Sequence, residues 1–132
     1  MFSFSIDPER IVISIGRASS SFAPIRDFGD FGLNILSSDQ QSVADRFAGR
    51  GGAKGEARYE GADWFVTPAG VSLLCGAVAT LQCRVEEIVE RHSHALILAE
   101  PTRIETDQTA DALLYWRAQY SATHAIPRLA AQ

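Results

Sequence analysis

Cysteine is scarce in this chain: Cys75 and Cys83 are the only two, and they do not form a C-x-x-C pair. That spacing points to neither a zinc site nor a redox disulfide, and no metal site is expected. Both residues lie among apolar neighbours and are expected to be buried thiols. A long hydrophobic run is missing as well. The stretch from Val71 to Leu81 contains Gly76 and falls well short of the ~20 apolar residues that span a bilayer, so no membrane role is expected. Nor is there an excess of positive charge: 12 Lys and Arg stand against 16 Asp and Glu, interspersed, for a net charge of -4. Nucleic acid is therefore not an expected partner, because phosphate binding calls for a basic face. The N-terminus has neither the cationic start nor the apolar core of a signal peptide, and a cytoplasmic location is expected.

The 132 residues are enough for one hydrophobic core and too few for two, so a single domain over 1–132 is expected. Phe2 to Ile6 alternates apolar and polar residues as a strand does, and Asp7-Pro8 turns the chain into a second strand over Arg10 to Ile15. The first of these is an edge with no preceding neighbour in the sequence. Ser19, Ser20 and Ser21 are N-cap residues for a short helix through Ala23, Ile25 and Phe28, ending near Gly29. Phe31, Leu33 and Ile35 alternate in a third strand, after which Ser38 or Asp39 caps a helix carrying Val43, Ala44 and Phe47.

Beyond Phe47 the chain is punctuated by Gly49, Gly51, Gly52 and Gly55, which admit positive φ, with Arg50 and Lys54 adding charge. Such a loop can approach an anion closely. Gly49 to Val71 reads as a long ordered loop anchored by Tyr59, Trp64 and Phe65. Ala77 to Glu90 and Ala95 to Glu105 pair as a hairpin through Arg91-His92-Ser93, Pro101 marks an edge or bulge, and Ala112 to Trp116 is a last strand. Several short antiparallel strands with few helices indicate a small barrel.

Four blocks, in order, carry a family resemblance. They are Ser3-Phe4-Ser5-Ile6-Asp7-Pro8; Gly32-Leu33-Asn34-Ile35-Leu36 with Asp39-Gln40-Gln41 and Arg46-Phe47-Ala48-Gly49; Leu81-Gln82-Cys83-Arg84-Val85 leading to His94; and Leu113-Leu114-Tyr115-Trp116-Arg117-Ala118-Gln119-Tyr120. With these the chain resembles the flavin reductases, FMN-binding split-barrel proteins that supply reduced flavin to two-component monooxygenases. The resemblance implies a mainly β fold, a Greek-key split β-barrel with two or three short helices. It implies FMN or FAD as cofactor, NADH or NADPH as co-substrate, a homodimer and a monooxygenase partner. Members of the family usually carry about 30 to 40 further residues ahead of this point, a sizeable fraction of a small domain, including a strand of small residues along one side of the flavin ring. The 132 residues hold no counterpart of that strand, so a flavin reductase-like domain without it is expected.

The likeness also assigns candidate site residues. Ser3 and Ser5 lie in the first matching block, and Ser19, Ser20 and Ser21 stand where the family meets the flavin phosphate, with Arg17 beside them as a further cofactor-binding candidate. Phe47 and Ala48 pack near the flavin, while Arg50 and Lys54 neutralise a phosphate of flavin or nicotinamide. Tyr115 and Arg117 shape the nicotinamide side. His94 matches a family histidine beside both cofactors, with His92-Ser93 in place of the usual Gly-Asp, and is the candidate catalytic residue, acting by orientation rather than as a strong acid or base. Read without the family, the serines are helix caps, Phe47 is core, the loop cations are solvated and His94 is structural. Phe2, Phe4, Trp116 and Tyr120 are candidates for a dimer surface. A different class of function stays open beside the enzyme: a non-catalytic or degenerate flavin-binding module that acts as carrier or interaction domain.

Overall fold

The alternation of Ile11, Ile13 and Ile15 on one strand with Ala95, Ile97 and Ala99 on another dictates the centre of the molecule, since each set can leave water only by facing the other's side of one sheet. In the computed structural model, which describes residues 1–129, these strands pair directly: Ile11 faces Ala99, Ile13 faces Ile97 and Ile15 faces Ala95. The last three positions of the expected 1–132 domain lie outside the described residues. Strand β1 is Phe2–Ile6, β2 Glu9–Gly16, β3 Asp30–Ile35, β4 Trp64–Val66, β5 Ser72–Leu74, β6 Ala79–Arg91, β7 His94–Thr106, β8 Leu113–Trp116 and β9 Gln119–Ala122. Two α-helices, α1 Phe22–Phe28 and α2 Gln41–Phe47, and two short 3-10 turns at Arg50–Gly52 and Gly55–Tyr59 complete the described elements.

Five strands form an antiparallel sheet in the order β1-β2-β7-β6-β3. The chain leaves β2 for the far edge at β3 and returns through β6 and β7 to lie beside β2, a Greek-key path. The fold is thus mainly β with few helices, as expected, but the sheet is open, with β1 and β3 as its edges. Its inner face packs Ile11, Phe31, Leu81, Cys83, Ala95, Ile97 and Ala99 against Phe22 of α1. Ile97, Cys83, Ala95 and Ala99 are wholly excluded from solvent, and a side chain the size of Ile97 contributes about 1.5–3 kcal/mol by such burial. Gly29 ends α1 in the left-handed conformation at φ 84°, its N–H donating to the Ile25 carbonyl.

Pro101 has no N–H to give the β6–β7 ladder, and the expected bulge is there. Cys83 faces Pro101 and Gln82 faces Arg103, leaving Thr102 without a cross-strand partner. The Thr102 hydroxyl accepts from Gln82 Nε2 and donates to the Gln82 carbonyl, both at 3.2 Å. A second irregularity at Glu86 lets its carboxylate meet Arg10 Nε at 3.0 Å.

Four local expectations need correction. The loop over 49–71 contains strand β4, which pairs with β5 in a separate hairpin, because Trp64 and Leu74 bury a second small cluster with Val43 of α2. Neither Ser38 nor Asp39 caps α2: Gln40 is the N-cap, Asp39 instead accepts the Ser37 hydroxyl, and Gln40 Oε1 accepts the Ser37 N–H at 3.0 Å. Strand β9 was not expected. It pairs with β8 through Arg117 and Ala118, both at positive φ (50° and 62°), the backbone of a tight hairpin without the usual Asn-Gly signal. Finally, Cys83 is buried but Cys75 is exposed.

β5 lies so close to β3 that a Cβ on Gly32 would stand 2.6 Å from the Ser72 carbonyl oxygen. Gly32→Ala is therefore expected to cost about 1–3 kcal/mol in urea unfolding, and an unchanged midpoint would show the contact to be slack. Burial lifts the Cys83 thiol to about 12. Since ionisation is disfavoured only in the folded state, stability is unaffected below the ordinary thiol range and falls as pH rises from there towards 12. A thiol reagent should modify Cys75 at once in native protein and Cys83 only after denaturation.

Candidate functional site

Helix α2 carries Phe47 at its end, and Arg46 beside it donates from Nη1 to the Ala57 carbonyl at 3.1 Å. That bond draws the Gly55–Tyr59 turn against the helix and brings Tyr59 to Phe47. The two rings meet edge to face at 5.2 Å, Tyr59 meets Trp64 at 4.8 Å, and Phe47 lies 5.6 Å from Trp64. The three form one wall of a cleft of about 560 Å³. Its lining also includes Ser20 and Ser21 from the turn before α1, Ile25 of α1, and Asp30, Gly32 and Asn34 of β3. The volume falls in the range of small-ligand sites.

Polar groups converge on this cleft. Ser19 Oγ accepts the Ser21 N–H at 3.2 Å, so it is Ser19 that tightens the turn before α1, and Ser21, the N-cap, makes no side-chain cap bond. The Ser20 and Ser21 hydroxyls are left to the cleft. Arg58 lines it too, lying 5.4 Å over the Phe47 ring and pointing Nη1 at Ser20 Oγ, 3.5 Å away. Two buried polar atoms on cleft-lining residues, Asp30 Oδ1 and Trp64 Nε1, have no hydrogen-bond partner among the described residues. Asp30 comes no nearer a cation than 3.8 Å from Arg84 Nε. An unpaired buried group costs about 1–3 kcal/mol, so a ligand offering a donor to Asp30 or an acceptor to Trp64 gains by filling it.

The candidates from the sequence divide into three groups. Ser20, Ser21 and Phe47 line the cleft. Ala48 ends α2 just behind Phe47, and Lys54 stands exposed between the two 3-10 turns; neither lines it. The remaining residues are elsewhere. Ser3 and Ser5 sit on edge strand β1. Arg17 clasps the β6–β7 turn, donating from Nε to Glu90 at 3.2 Å and from Nη1 to the His92 carbonyl at 2.9 Å. His94, exposed at the same turn, shares a 2.8 Å hydrogen bond between Nδ1 and Ser93 Oγ.

Arg50, Tyr115 and Tyr120 form a separate cluster that ties the β8–β9 hairpin to α2. Arg50 pairs with Asp45 at 2.9 Å, reaches Tyr115 Oη at 3.4 Å and lies over both tyrosine rings. Tyr120 donates to Asp45 Oδ1 at 3.1 Å. Its hydroxyl is held above the ordinary tyrosine value by desolvation and by that neighbouring carboxylate. The Arg50 guanidinium is lifted by Tyr115 first and then by Asp45. Arg117 lies over Trp116 at the hairpin tip. Arg58, Tyr59, Trp64 and Asp30 are the cleft residues that pattern reading did not single out for a site. Tyr59 and Trp64 gave a signal as isolated aromatics in a polar stretch, whereas Arg58 gave none. Arg50→Ala is expected to speed amide exchange across Leu113–Ala122 without altering the β6–β7 ladder, because it removes the ties through Arg50 and leaves Tyr120–Asp45 alone to hold the hairpin to α2.

Residues 1–124 match the family described as flavin reductase like domain. The chain is 35% identical over 130 residues to an NADH:riboflavin 5'-phosphate oxidoreductase of Streptomyces pristinaespiralis, covering 97% of this chain and 72% of that protein. It is 27% identical over 117 residues to the reductase subunit of a flavin-dependent monooxygenase of Rhodococcus jostii, covering 89% of this chain. The chain spans 58% of that relative's length. Among solved structures, an NADH:FAD oxidoreductase of Streptomyces globisporus superposes with a TM-score of 0.83 at 21% identity, over 93% of this chain and 74% of the other, a likeness of fold.

Proposed function

The chain belongs to the flavin reductase like domain family, and from that premise we propose that it is an NAD(P)H-dependent flavin reductase supplying reduced FMN or FAD to a partner monooxygenase. The observation that carries the reading is the cleft itself: the aromatic side chains of Phe47, Tyr59 and Trp64 line it together with Ser20, Ser21 and Asp30, and buried polar atoms of Trp64 and Asp30 lack hydrogen-bond partners among the described residues. A flavin fits that donor set. Its ring offers an apolar face to aromatic side chains, its pyrimidine edge has an N–H donor suited to Asp30, and its phosphate suits Ser20 and Ser21.

In the reaction, reduced nicotinamide gives a hydride and flavin accepts it, so the chemistry is theirs and the protein's part is position. Phe47, Tyr59 and Trp64 would give the ring apolar contact and exclude water from one side. Ser20 and Ser21 anchor the tail. His94 orients the nicotinamide from the β6–β7 turn, its ring direction set by Ser93. We read the open sheet as belonging to a split barrel, supported by the fold likeness, and the protein as a cytoplasmic homodimer, since NAD(P)H is at hand there. The dimer reading rests on the outer sheet face, where Phe2, Val12 and Leu98 stand in one cross-strand row and Leu96 and Val89 in the next. Phe2 and Leu96 are 59% and 48% exposed. Phe4 and Trp116 are also exposed, whereas Tyr120 is engaged with Asp45.

One observation favours the alternative of a flavin-binding module without turnover: His94 is not among the residues that line the cleft. A direct test separates the two. Purified protein with added FMN or FAD should oxidise NADH or NADPH, followed at 340 nm, and His94→Ala should lower kcat about tenfold to 100-fold with flavin affinity unchanged. Flavin binding without oxidation makes the protein a carrier, and absence of both sinks the reading.

A further inference from the structure

We propose that Cys75 is a modification site: it takes up one half of a small disulfide bearing an ammonium group, and holds that half in a second cavity apart from the cleft. The cavity measures about 320 Å³ and lies among the β4–β5 hairpin, the start of β6 and the end of β7. Its lining includes Phe65, Cys75, Thr80, Glu105 and Asp107, and it shares no lining residue with the cleft.

Cys75 is exposed, whereas Cys83 is buried. Exposure makes a thiol accessible and no more; the independent observation is Thr80. Ser37, Thr67 and Thr80 are the buried polar residues among those described. The Ser37 hydroxyl donates to Asp39 and the Thr67 hydroxyl accepts the Val71 N–H. Thr80 Oγ1, on a residue only 5% exposed, has no hydrogen-bond partner among the described residues. A buried hydroxyl in this state gains from a ligand that supplies the missing partner.

Charge decides which ligand. Two carboxylates line the cavity, and no lysine, arginine or histidine among the described residues does. Arg103 lies over the Phe65 ring and gives Nε and Nη2 to Glu105 Oε1 at 3.1 and 2.6 Å, so Glu105 is matched. Asp107 has no cation within ion-pair distance among the described residues. The Thr109 hydroxyl and N–H, at 2.6 and 2.9 Å, hold its carboxyl below the ordinary carboxylate range, and it stays charged. An ammonium on a short arm from Cys75 would meet the Asp107 charge and offer an N–H to Thr80 Oγ1, while an anionic reagent is repelled. In the exchange, the Cys75 thiolate attacks one sulfur of the disulfide. The new S–S bond forms as the old one breaks, and the departing half leaves as a thiolate that takes up the proton Cys75 lost. Cys75 is oxidised and the departing half is reduced.

The experiment treats native protein with cystamine, hydroxyethyl disulfide or dithiodipropionate, which are cationic, neutral and anionic, and follows the adduct by intact mass. Each rate is divided by that of a blocked peptide of residues 74–77, which removes the reagent's own reactivity. Cystamine should then exceed dithiodipropionate by about tenfold, with the neutral reagent between, and Asp107→Asn should remove most of the difference. By circular dichroism the aminoethyl adduct should melt about 3–6 °C above unmodified protein, the carboxyethyl adduct should not, and the gain should shrink in Thr80→Val. Equal normalised rates for the three reagents, or an aminoethyl adduct that melts no higher, overturn the proposal, since Cys75 is then an ordinary surface thiol. A cystamine preference that survives Asp107→Asn overturns it too. So does label on native Cys75→Ser protein, because the reacting thiol is then Cys83.

Discussion

The pairing of β6 with β7 holds the other parts in place. Each strand is 13 residues long, and their ladder runs from Ala79 and Thr106 at one end to Arg91 and His94 at the other. β2 is laid down on the outer side of β7 and β3 on the outer side of β6, so both halves of the core take their register from this one hairpin. A slip of one residue would turn Ala95, Ile97 and Ala99 to the solvent and Leu96 and Leu98 to the core. The two-residue turn at His92 and Ser93 prevents this. Arg17 guards it by binding the turn's backbone and Glu90.

The cleft is built outward from that sheet. β3 supplies its floor, and the absence of a side chain at Gly32 allows β5 to come close enough for Asn34 Oδ1 to accept the Leu74 N–H at 2.9 Å. Trp64, on the strand paired with β5, is thereby brought to α2 and to Phe47. The positively charged groups are then divided between structural and open roles. Arg17 and Arg50 have their charge matched by nearby carboxylates and bind separate hairpins, while Arg58 lines the cleft with no such match among the described residues. A family likeness alone gives every cation in such a loop the same promise.

Much of the fold was legible because burial repeats with the period of the backbone. Phe31, Leu33 and Ile35, the isoleucines of β2 and the alternation after Leu81 announced strands whose limits lie within a residue or two of those observed. Gly29 and Pro101 announced a helix end and a bulge through chemistry local to one residue. The positive φ of Gly49, Gly51, Gly52 and Gly55 was legible in the same way. What was not legible had partners distant in sequence. β4 is three residues long and is a strand only because β5 lies beside it, and β9 follows a turn whose Arg117 and Ala118 carry no turn signal. Cys75 looked buried from its neighbours and is exposed, since apolar neighbours along the chain need not be neighbours in space.

The family and the mainly antiparallel core follow from the order of amino acids, because hydrophobic period, turn residues and ordered motifs are properties of short stretches of chain. Which cations have their charge matched within the chain is settled by folding. Arg17 meets the Glu90 carboxylate across 73 residues, and Arg50, paired with Asp45, is enclosed by Tyr115 from 65 residues away. Whether a cation is neutralised or exposed to a ligand depends on such encounters, which only the folded chain brings about.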